Sequence, residues 1–166
     1  MQIGMIGLGR MGANMAVRLL RGGHDVVTHA PDRAAVEAAV AKGARGAFEL
    51  DAMPAALAPP RAVWVMVPAG KATGEVIDRL SEILDADDVI VDGGNSHYLD
   101  TVRRAREAAD KGMYLVDCGT SGGVWGLRAG YSLMIGGDPG AVERLRPVFE
   151  TLAPAPDCGW GRVGSS

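Results

Sequence analysis

The sequence contains few cysteines and few aromatic residues, and it has neither a basic run nor a long apolar run. Its two cysteines, Cys118 and Cys158, form no metal-ligand spacing, so we predict no metal site. Their low number, with no secretory leader, leads us to expect a reducing, cytoplasmic location. A net charge of −3 gives no general attraction for nucleic acid or an anionic membrane. No apolar run approaches the ~18 residues of a membrane span, so we expect neither partner.

What the sequence does contain is apolar strand candidates that alternate with helical segments, in a chain that is 48% hydrophobic. We predict strands at 2–6, 24–29, 62–67, 88–92, 113–117 and 131–135, with a weaker candidate at 44–48. We predict helices at 11–21, 32–42, 50–57, 71–84, 97–111 and 139–150. This alternation predicts an α/β fold, a Rossmann-like, doubly wound, mostly parallel sheet with helices on both faces.

The chain divides into two predicted parts. Residues 1–158 form one dinucleotide-binding domain, whereas residues 159–166 are glycine-rich and aperiodic, as is typical of a segment that leaves a domain. In a doubly wound sheet, ligands bind outside the carboxyl ends of the strands. The loops that follow the strands are therefore where we expect the functional residues.

The loop after the first strand has the spacing G-x-G-x-x-G, made by Gly7, Gly9 and Gly12. A strand, this spacing and a helix, in that order, are what a dinucleotide site needs. Gly7 permits the turn, Gly9 lets the backbone approach a pyrophosphate, and Gly12 lets the helix lie close to the strand. The helix start then faces the phosphates. The alternative is a glycine-rich turn in another α/β fold. The expected cofactor contacts here are Gly7, Leu8, Gly9, Arg10, Met11 and Gly12.

The second strand ends without the acidic residue that normally accepts the ribose hydroxyls of NAD. Asp32 lies 20 residues after Gly12, which is the expected distance, but it also fits as the N-cap of the next helix. Without a fixed carboxylate, Arg33 or His29 can attract a 2′-phosphate. The cofactor is therefore NAD or NADP, and Arg33 is a candidate contact.

The loop after the strand at 62–67 provides a third set of candidate contacts. Val67, Pro68 and Ala72 lie in and just after it, and its small residues leave room for the nicotinamide ribose. An ordinary strand-to-helix turn is the alternative, but the fold favours a cofactor contact.

The loop after the strand at 88–92 carries Asn95 behind two glycines. The amide of Asn95 offers both a donor and an acceptor, so it can bind a nicotinamide carboxamide and a substrate hydroxyl together. His97 invites a general-base role, but we expect it only to open the following helix, with Ser96 as the N-cap.

The segment Ser121–Gly123 follows the strand at 113–117. Consecutive glycines after a serine can turn several N–H groups inward and bind a carboxylate or phosphate; a flexible loop is the alternative. Cys118 precedes this segment, and no histidine is placed to activate it. We therefore expect Cys118 to be buried packing.

Together these motifs resemble the 6-phosphogluconate dehydrogenase family of the β-hydroxyacid dehydrogenase superfamily. The matching segments are 7–15, 92–98 with Asp100 and Thr101, 121–123 and 133–137. The first is shared by the superfamily, and the second and third are specific to this branch. Relatives of the 3-hydroxyisobutyrate dehydrogenase type carry an Asp-x-Ser-Thr sequence where this chain has Asp-Gly-Gly-Asn-Ser.

The resemblance implies NAD(P)-dependent oxidation of 6-phosphogluconate at C3, followed by decarboxylation to ribulose 5-phosphate and CO2 in the pentose phosphate pathway. Asn95 matches the asparagine that contacts substrate and nicotinamide. The residues that match the sugar-acid loop are Ser121, Gly122 and Gly123, and those on the cofactor loop are Val67, Pro68 and Ala72. His97 and the sequence at 124–126 look like the shorter bacterial branch, which often prefers NAD. In that branch an aspartate usually ends the second strand, where this chain has Ala30.

The family also has a long helix after the segment that matches 164–166, and it carries a lysine base and a glutamate acid. The chain's own lysines, Lys42, Lys71 and Lys111, do not match that motif. We therefore expect a cofactor domain that binds NAD(P) but does not turn over alone, from a protein that is a homo-oligomer when complete. The alternatives are another β-hydroxyacid dehydrogenase, of the 3-hydroxyisobutyrate type, and a non-catalytic nucleotide-sensing module.

Overall fold

The computed structural model describes residues 1–165, which form an eight-stranded sheet flanked by helices. The strands are β1 (Gln2–Ile6), β2 (Asp25–His29), β3 (Arg45–Gly46), β4 (Ala62–Val65), β5 (Val89–Asp92), β6 (Tyr114–Ser121), β7 (Ser132–Gly136) and β8 (Trp160–Gly164). The helices are α1 (Arg10–Arg21), α2 (Arg33–Val40), α3 (Lys71–Ile83), α4 (Tyr98–Asp110), α5 (Gly126–Ala129), α6 (Pro139–Arg144) and α7 (Arg146–Leu152).

The strand order is β3-β2-β1-β4-β5-β6-β7-β8. Neighbouring strands are parallel from β3 to β6, the β6–β7 pair is antiparallel, and β8 is parallel to β7. From β1 the chain moves outward to β2 and β3 and then returns to β4 on the other side of β1. This reversal of direction leaves a crevice at the carboxyl ends of β1 and β4. The predicted α/β, Rossmann-like sheet is confirmed.

Helices cover both faces of the sheet because their apolar residues recur every three or four positions. On one face, Met15 and Leu19 of α1 pack with Trp64 of β4 and Phe149 of α7, and the rings of the last two meet edge to face at 6.1 Å. On the other face, α3 and α4 bury a second apolar cluster that includes Ile77. The strands between the two layers are apolar on both sides, as their unbroken apolar runs predicted.

Two predicted helices differ from the structure. The segment 50–57 forms two short 3-10 turns, Leu50–Ala52 and Pro54–Ala56, and the segment 139–150 is divided into α6 and α7. A proline occupies the first turn of the second element in both cases, Pro54 in one and Pro147 in the other. Because proline has no N–H and clashes with the preceding turn, a single continuous helix cannot pass through either position.

The glycine-rich tail also differs from its prediction, since it contains strand β8. The tail's backbone pairs with β7, and the Trp160 ring stacks on that of Phe149 with the centroids 5.8 Å apart. Residues 159–164 contain three glycines, and glycine has a low intrinsic preference for β-strands, so the sequence pattern did not predict β8.

Candidate functional site

The turn between β1 and α1 is packed as the glycine spacing requires. Gly7 has a φ of 92°, and a Cβ on it would lie 2.3 Å from the carbonyl oxygen of Met66. A Cβ on Gly12 would lie 1.9 Å from the carbonyl oxygen of Gly7. Around Gly9, by contrast, a Cβ would meet no described atom within 4 Å, and its φ of −62° suits any residue. Packing therefore accounts for Gly7 and Gly12, whereas the open space at Gly9 fits a ligand.

The amino end of α1 is free to receive an anion. Its N-cap, Gly9, provides no side-chain hydrogen bond, and the first turn contains no acidic residue. The first N–H groups of a helix have no partner within it, and the helix dipole adds a positive potential there. A diphosphate is an anion of the size and charge that such an end accepts.

A cavity of about 620 Å³ opens beside this helix end, between the first two strands and α3. It is lined by Ile6, Gly7, Leu8, Gly9, His29, Ala30, Pro31, Asp32, Ala35, Met66, Val67, Pro68, Ala72, Glu75 and Val76. Six predicted cofactor residues therefore share one cavity: Gly7, Leu8, Gly9, Val67, Pro68 and Ala72. The mainly apolar wall and the nearby anion site fit the adenosine and diphosphate parts of a dinucleotide.

The other five predicted cofactor contacts lie outside that lining: Arg10, Met11, Gly12, Arg33 and Asn95. Arg10 is exposed at the start of α1, and Met11 packs against the core. Arg33 is exposed at the start of α2, where its Nε donates to Glu37 at 3.0 Å and its guanidinium lies 4.3 Å from the Phe48 ring centre. These contacts hold the Arg33 side chain between Glu37 of its own helix and the Phe48 ring, which follows β3.

The end of β2 is acidic at the cavity. Asp32 Oδ1 accepts a hydrogen bond from the N–H of Ala34 at 3.0 Å, so the predicted N-cap is confirmed, and Asp32 also lines the cavity. The Glu75 carboxylate lines the opposite side, on α3. Sequence reasoning missed Glu75, although it follows Ala72 by three residues and so shares its helix face. None of the described lining residues is a lysine or an arginine.

A second cavity, of about 640 Å³, lies at the other end of α1 and is bounded by residues such as Arg21 and Pro147. It is more open, and it has no part in the glycine turn. Of these two cavities, the one beside Gly9 combines the amino end of α1 with a mainly apolar wall in the described part of the chain.

The loop after β5 is organised by a buried carboxylate. Asp92 is fully buried, and its Oδ1 accepts from the N–H of Gly94 at 3.0 Å while its Oδ2 accepts from Ser96 Oγ at 2.6 Å. Ser96 is therefore not the N-cap of α4, and that prediction is wrong, because its hydroxyl donates backwards to Asp92. The N-cap is His97, whose exposed ring lies 4.9 Å from the Tyr98 ring centre. His97 thus opens the helix, as predicted.

Asn95 lies between these anchors with a φ of 56°. Its Oδ1 accepts a hydrogen bond from the N–H of Thr120 at 3.2 Å, and its Nδ2 donates to the Thr120 carbonyl at 3.5 Å. The second hydrogen of Nδ2 is left for another acceptor. The hydrogen bonds to Thr120 place Asn95 beside the end of β6, because Thr120 directly precedes Ser121, the last residue of that strand.

The segment Ser121–Gly123 begins at this edge. Gly122 has a φ of 147°, and a Cβ on it would lie 2.8 Å from the Tyr131 ring. Gly123 has a φ of 49° and open space around it. Both positions therefore need glycine, the first for packing and the second for its left-handed backbone.

Contacts join the three loops along the sheet edge, although Asn95 and Ser121–Gly123 lie outside the cavity lining. Met66 meets Gly7 on one side and Gly93 on the other. Beyond it, a Cβ on Gly94 would lie 3.0 Å from the carbonyl oxygen of Val67. The glycine turn, the Val67 loop and the Asn95 loop are thus in direct contact, and Asn95 continues the row to β6.

Two titratable groups of β6 lie near this edge. Burial, with a smaller contribution from the neighbouring Asp92 carboxylate, raises the pKa of Asp117 to about 6. Burial raises the pKa of the Cys118 thiol to about 12, so Cys118 is inert packing, as predicted. Neither residue was assigned a role in catalysis from the sequence.

The lysines are not among the described residues that line the cavity beside Gly9. Lys71 Nζ is 3.5 Å from Glu75, Lys111 donates to the Ser81 carbonyl at 2.9 Å, and Lys42 is exposed after α2. Within residues 1–165, no group of three His, Cys, Asp or Glu side chains could hold a metal ion. No helix of the same residues has the length and apolar character needed to cross a membrane.

Comparison with known proteins shows the family of the chain. The family model described as the NAD binding domain of 6-phosphogluconate dehydrogenase matches residues 2–161. An NAD(+)-dependent, decarboxylating 6-phosphogluconate dehydrogenase of Haloferax volcanii is 47% identical over 166 residues, which cover all of this chain and 54% of that protein. The chain thus spans about half the length of this curated relative.

Solved structures show the same fold. Plasmodium falciparum 6-phosphogluconate dehydrogenase, determined in its apo form and in complexes with NADP+ and 6-phosphogluconate, superposes with a TM-score of 0.91 at 25% identity, covering 100% of this chain and 37% of its own. Mycobacterium tuberculosis 3-hydroxyisobutyrate dehydrogenase with L-serine gives 0.86 at 28% identity, covering 99% and 55%. The sequence and fold together show that the chain belongs to the NAD-binding domain family of 6-phosphogluconate dehydrogenases.

Proposed function

We propose that this chain binds NAD or NADP in the cavity beside Gly9 and supplies the cofactor half of a decarboxylating 6-phosphogluconate dehydrogenase. The overall reaction converts 6-phosphogluconate and NAD(P)+ into ribulose 5-phosphate, CO2 and NAD(P)H. The observation that carries the proposal is the Asn95 amide, which is hydrogen-bonded to Thr120 next to Ser121, on a loop that contacts the Val67 loop.

Different residues at this edge of the sheet are proposed to bind different parts of the cofactor. The amino end of α1 and the open space at Gly9 receive the diphosphate. Val67, Pro68 and Ala72 form the wall towards the nicotinamide ribose. When bound, the nicotinamide ring supplies the redox chemistry, taking up the hydrogen and two electrons that leave C3 of the sugar acid.

The sugar acid is proposed to lie between Asn95 and Ser121–Gly123. Asn95 can donate its remaining amide hydrogen to a substrate oxygen or to the nicotinamide carboxamide. The hydroxyl of Ser121 and the N–H groups at Gly122 and Gly123 suit a carboxylate or phosphate. Proton removal from the C3 hydroxyl needs a base, and the described contacts of the lysines join Lys71 to Glu75 and Lys111 to the Ser81 carbonyl, not to the Asn95 loop.

The test has two parts. Titration of residues 1–166 with NADH and NADPH, followed by nicotinamide fluorescence, should show saturable binding, whereas the same chain should not turn over 6-phosphogluconate. Normal turnover by residues 1–166 would show that these residues themselves supply the proton acceptor and would contradict this part of the proposal. No binding of either nucleotide would refute the proposed site.

Activity assays on the complete gene product would identify the substrate. We expect this product to oxidise 6-phosphogluconate and release CO2, and to lose turnover in Asn95→Ala. Preference for 3-hydroxyisobutyrate would indicate the other branch, which the M. tuberculosis superposition represents. Unchanged turnover in Asn95→Ala would favour a nucleotide-sensing module. We further propose that the complete protein is a cytoplasmic homo-oligomer, which light scattering after size exclusion and fractionation of cells would check.

A further inference from the structure

A buried arginine lies directly behind the Asn95 loop. Arg104 of α4 is 4% exposed, and its Nη1 lies 3.3 Å from Oδ2 of the fully buried Asp92. Its Nε has no hydrogen-bond partner among the described residues. Burying two charges costs desolvation energy that an incompletely bonded pair does not recover in full. Stability alone is therefore a weak reason for this pair.

The pair holds both sides of Asn95. Asp92 accepts from the N–H of Gly94, before Asn95, and from the hydroxyl of Ser96, after it, at 3.0 and 2.6 Å. Arg104 Nη1 also lies 3.3 Å from Ser96 Oγ, so the hydroxyl is held by both members of the pair. The cluster formed by Asp92, Ser96 and Arg104 thus fixes the backbone on either side of one residue.

The backbone of Asn95 has to be held in place by its surroundings. Asn95 has a φ of 56°, which is an unfavourable conformation for a residue with a Cβ, though asparagine tolerates it better than most. With both of its neighbours held, the Asn95 side chain is directed to Thr120. If the neighbours were released, Asn95 could return to a right-handed or extended backbone, and its amide would leave the sheet edge.

The cluster also touches the cofactor loop. A Cβ on Gly74 would lie 3.2 Å from Arg104 Nη2, so the glycine leaves space for the guanidinium. Thr73, the preceding residue of α3, donates from Oγ1 to the Pro68 carbonyl at 2.9 Å, and a Cβ on Gly94 would lie 2.8 Å from that Oγ1. The Asn95 loop and the Val67 loop are therefore supported by adjoining residues.

We propose that Arg104 is a positioning residue, which acts through Asp92 and Ser96 to hold Asn95 in its left-handed conformation with the amide against Thr120. The catalytic part of this inference rests on the proposed function. The structural part does not, because the Asn95–Thr120 hydrogen bonds are properties of the chain itself.

The first test measures the Thr120 amide in residues 1–166 by hydrogen exchange. Arg104→Met should raise the exchange rate of this amide by about tenfold relative to amides of β1 and β2, because its acceptor on Asn95 is no longer held. Arg104→Lys, which keeps the charge, should give an intermediate rate. Arg103→Met is the matched control, since Arg103 is the neighbouring, exposed arginine paired only with Glu107 in the described contacts.

The second test measures turnover in the complete gene product. Arg104→Met should lower kcat by about 100-fold, as expected for a misplaced catalytic group, while KM for the dinucleotide stays within about twofold of the parent value. Arg104→Lys should recover part of kcat, and Arg103→Met should leave it unchanged. A merely structural arginine would change the folded fraction without this separation of kcat from KM.

Should Arg104→Met fail to fold, Arg104→Lys and Ser96→Ala provide the same measurements with smaller changes. The inference is overturned if all folded variants keep the parent exchange rate at Thr120 and a kcat within about twofold of the parent. A parent protein that binds no dinucleotide, or has no activity on 6-phosphogluconate, contradicts the proposed function instead. In that case the exchange rates still decide whether Arg104 positions Asn95.

Discussion

Gly12 and Gly7 are so close that a methyl group on Gly12 would lie 1.9 Å from the Gly7 carbonyl oxygen. Gly9, which lies between them, would carry the same methyl group into open space. Glycine is therefore present at these three positions for two different reasons. The outer two allow α1 to lie against β1, whereas the middle one leaves room for something outside the chain.

This difference predicts opposite outcomes for two similar variants. Gly12→Ala should lower the free energy of unfolding by about 1–3 kcal/mol, because the overlap forces the helix away from the strand. Gly9→Ala should change it by no more than about 0.5 kcal/mol yet weaken dinucleotide binding by at least about tenfold. Urea unfolding and NADH titration give the two quantities. Gly9→Ala with the parent's affinity would show that no diphosphate approaches this turn.

The acidic lining predicts the choice of cofactor. With Asp32 and Glu75 in the cavity wall and no cation among the described lining residues, we expect NADH to bind about tenfold more tightly than NADPH, because a 2′-phosphate would be repelled. Asp32→Asn and Glu75→Gln each remove one negative charge, so both should reduce the difference between the affinities for NADH and NADPH. Asparagine can still cap α2, and glutamine has nearly the same shape as glutamate. Asp78→Asn, an exposed change on the same helix as Glu75, should not reduce this difference. Tighter binding of NADPH by the parent would contradict the prediction, and Arg33→Ala would then show whether Arg33 attracts the phosphate.

Asp117 predicts a specific dependence of stability on pH. Its pKa is raised from 3.8 to about 6 by burial and by Asp92, so between these two values the folded chain binds more protons than the unfolded chain. The contribution of Asp117 to stability is therefore present at low pH and is lost as pH rises from about 4 to about 6.

Asp117→Asn removes this titration. We expect the variant to be more stable than the parent at pH 7 by about 1 kcal/mol, a reduced figure because the side chain is only half-buried. The difference should disappear below pH of about 4. Urea unfolding at several pH values measures it, with the exposed Asp157→Asn as the control. A constant difference across the range would mean that packing, and not the carboxylate's proton, causes the effect.

The Asp92–Arg104 pair predicts non-additive stability effects. Arg104→Met alone leaves a buried carboxylate without its cation and should cost about 3–5 kcal/mol. The double variant Asp92→Asn with Arg104→Met buries no charge, so it should be more stable than Arg104→Met. Unfolding of the parent, both single variants and the double variant gives the coupling energy. Strict additivity would show that the two side chains do not interact.

The sequence predicted those parts of the site that depend on local patterns. Gly7, Gly9 and Gly12 were identified by spacing within a strand–helix context, and the structure places them at the carboxyl end of β1, as the fold requires. Asp32 was assigned as a cap because its residue type and position before α2 specify that role locally. The alternation of apolar strand segments with helical segments is also a local pattern, and it predicted the sheet.

Other parts depend on contacts between distant segments, which no local pattern reports. Arg104 is 12 residues from Asp92 in the sequence, and the Asn95–Thr120 pair spans 25 residues. A charged side chain at position 104, between buried Thr101 and Ala108 on one helix face, was the available signal, because it places a cation where an apolar residue is expected. β8 was missed since its pairing with β7, and not its own residue types, makes it a strand.

The reversal at the β6–β7 pair fixes where the backbone arrives after β8. β7 and β8 run opposite to β5, but the register places Gly164 beside Gly136, Gly136 beside Asp117, and Asp117 beside Asp92, the last residue of β5. Gly164 is therefore level with the carboxyl end of β5 and is separated from it sideways, by three strand spacings or roughly 14 Å. A polypeptide joined after β8 would reach a sugar held near Asn95 by crossing the sheet from strand to strand and not by running back along the strands.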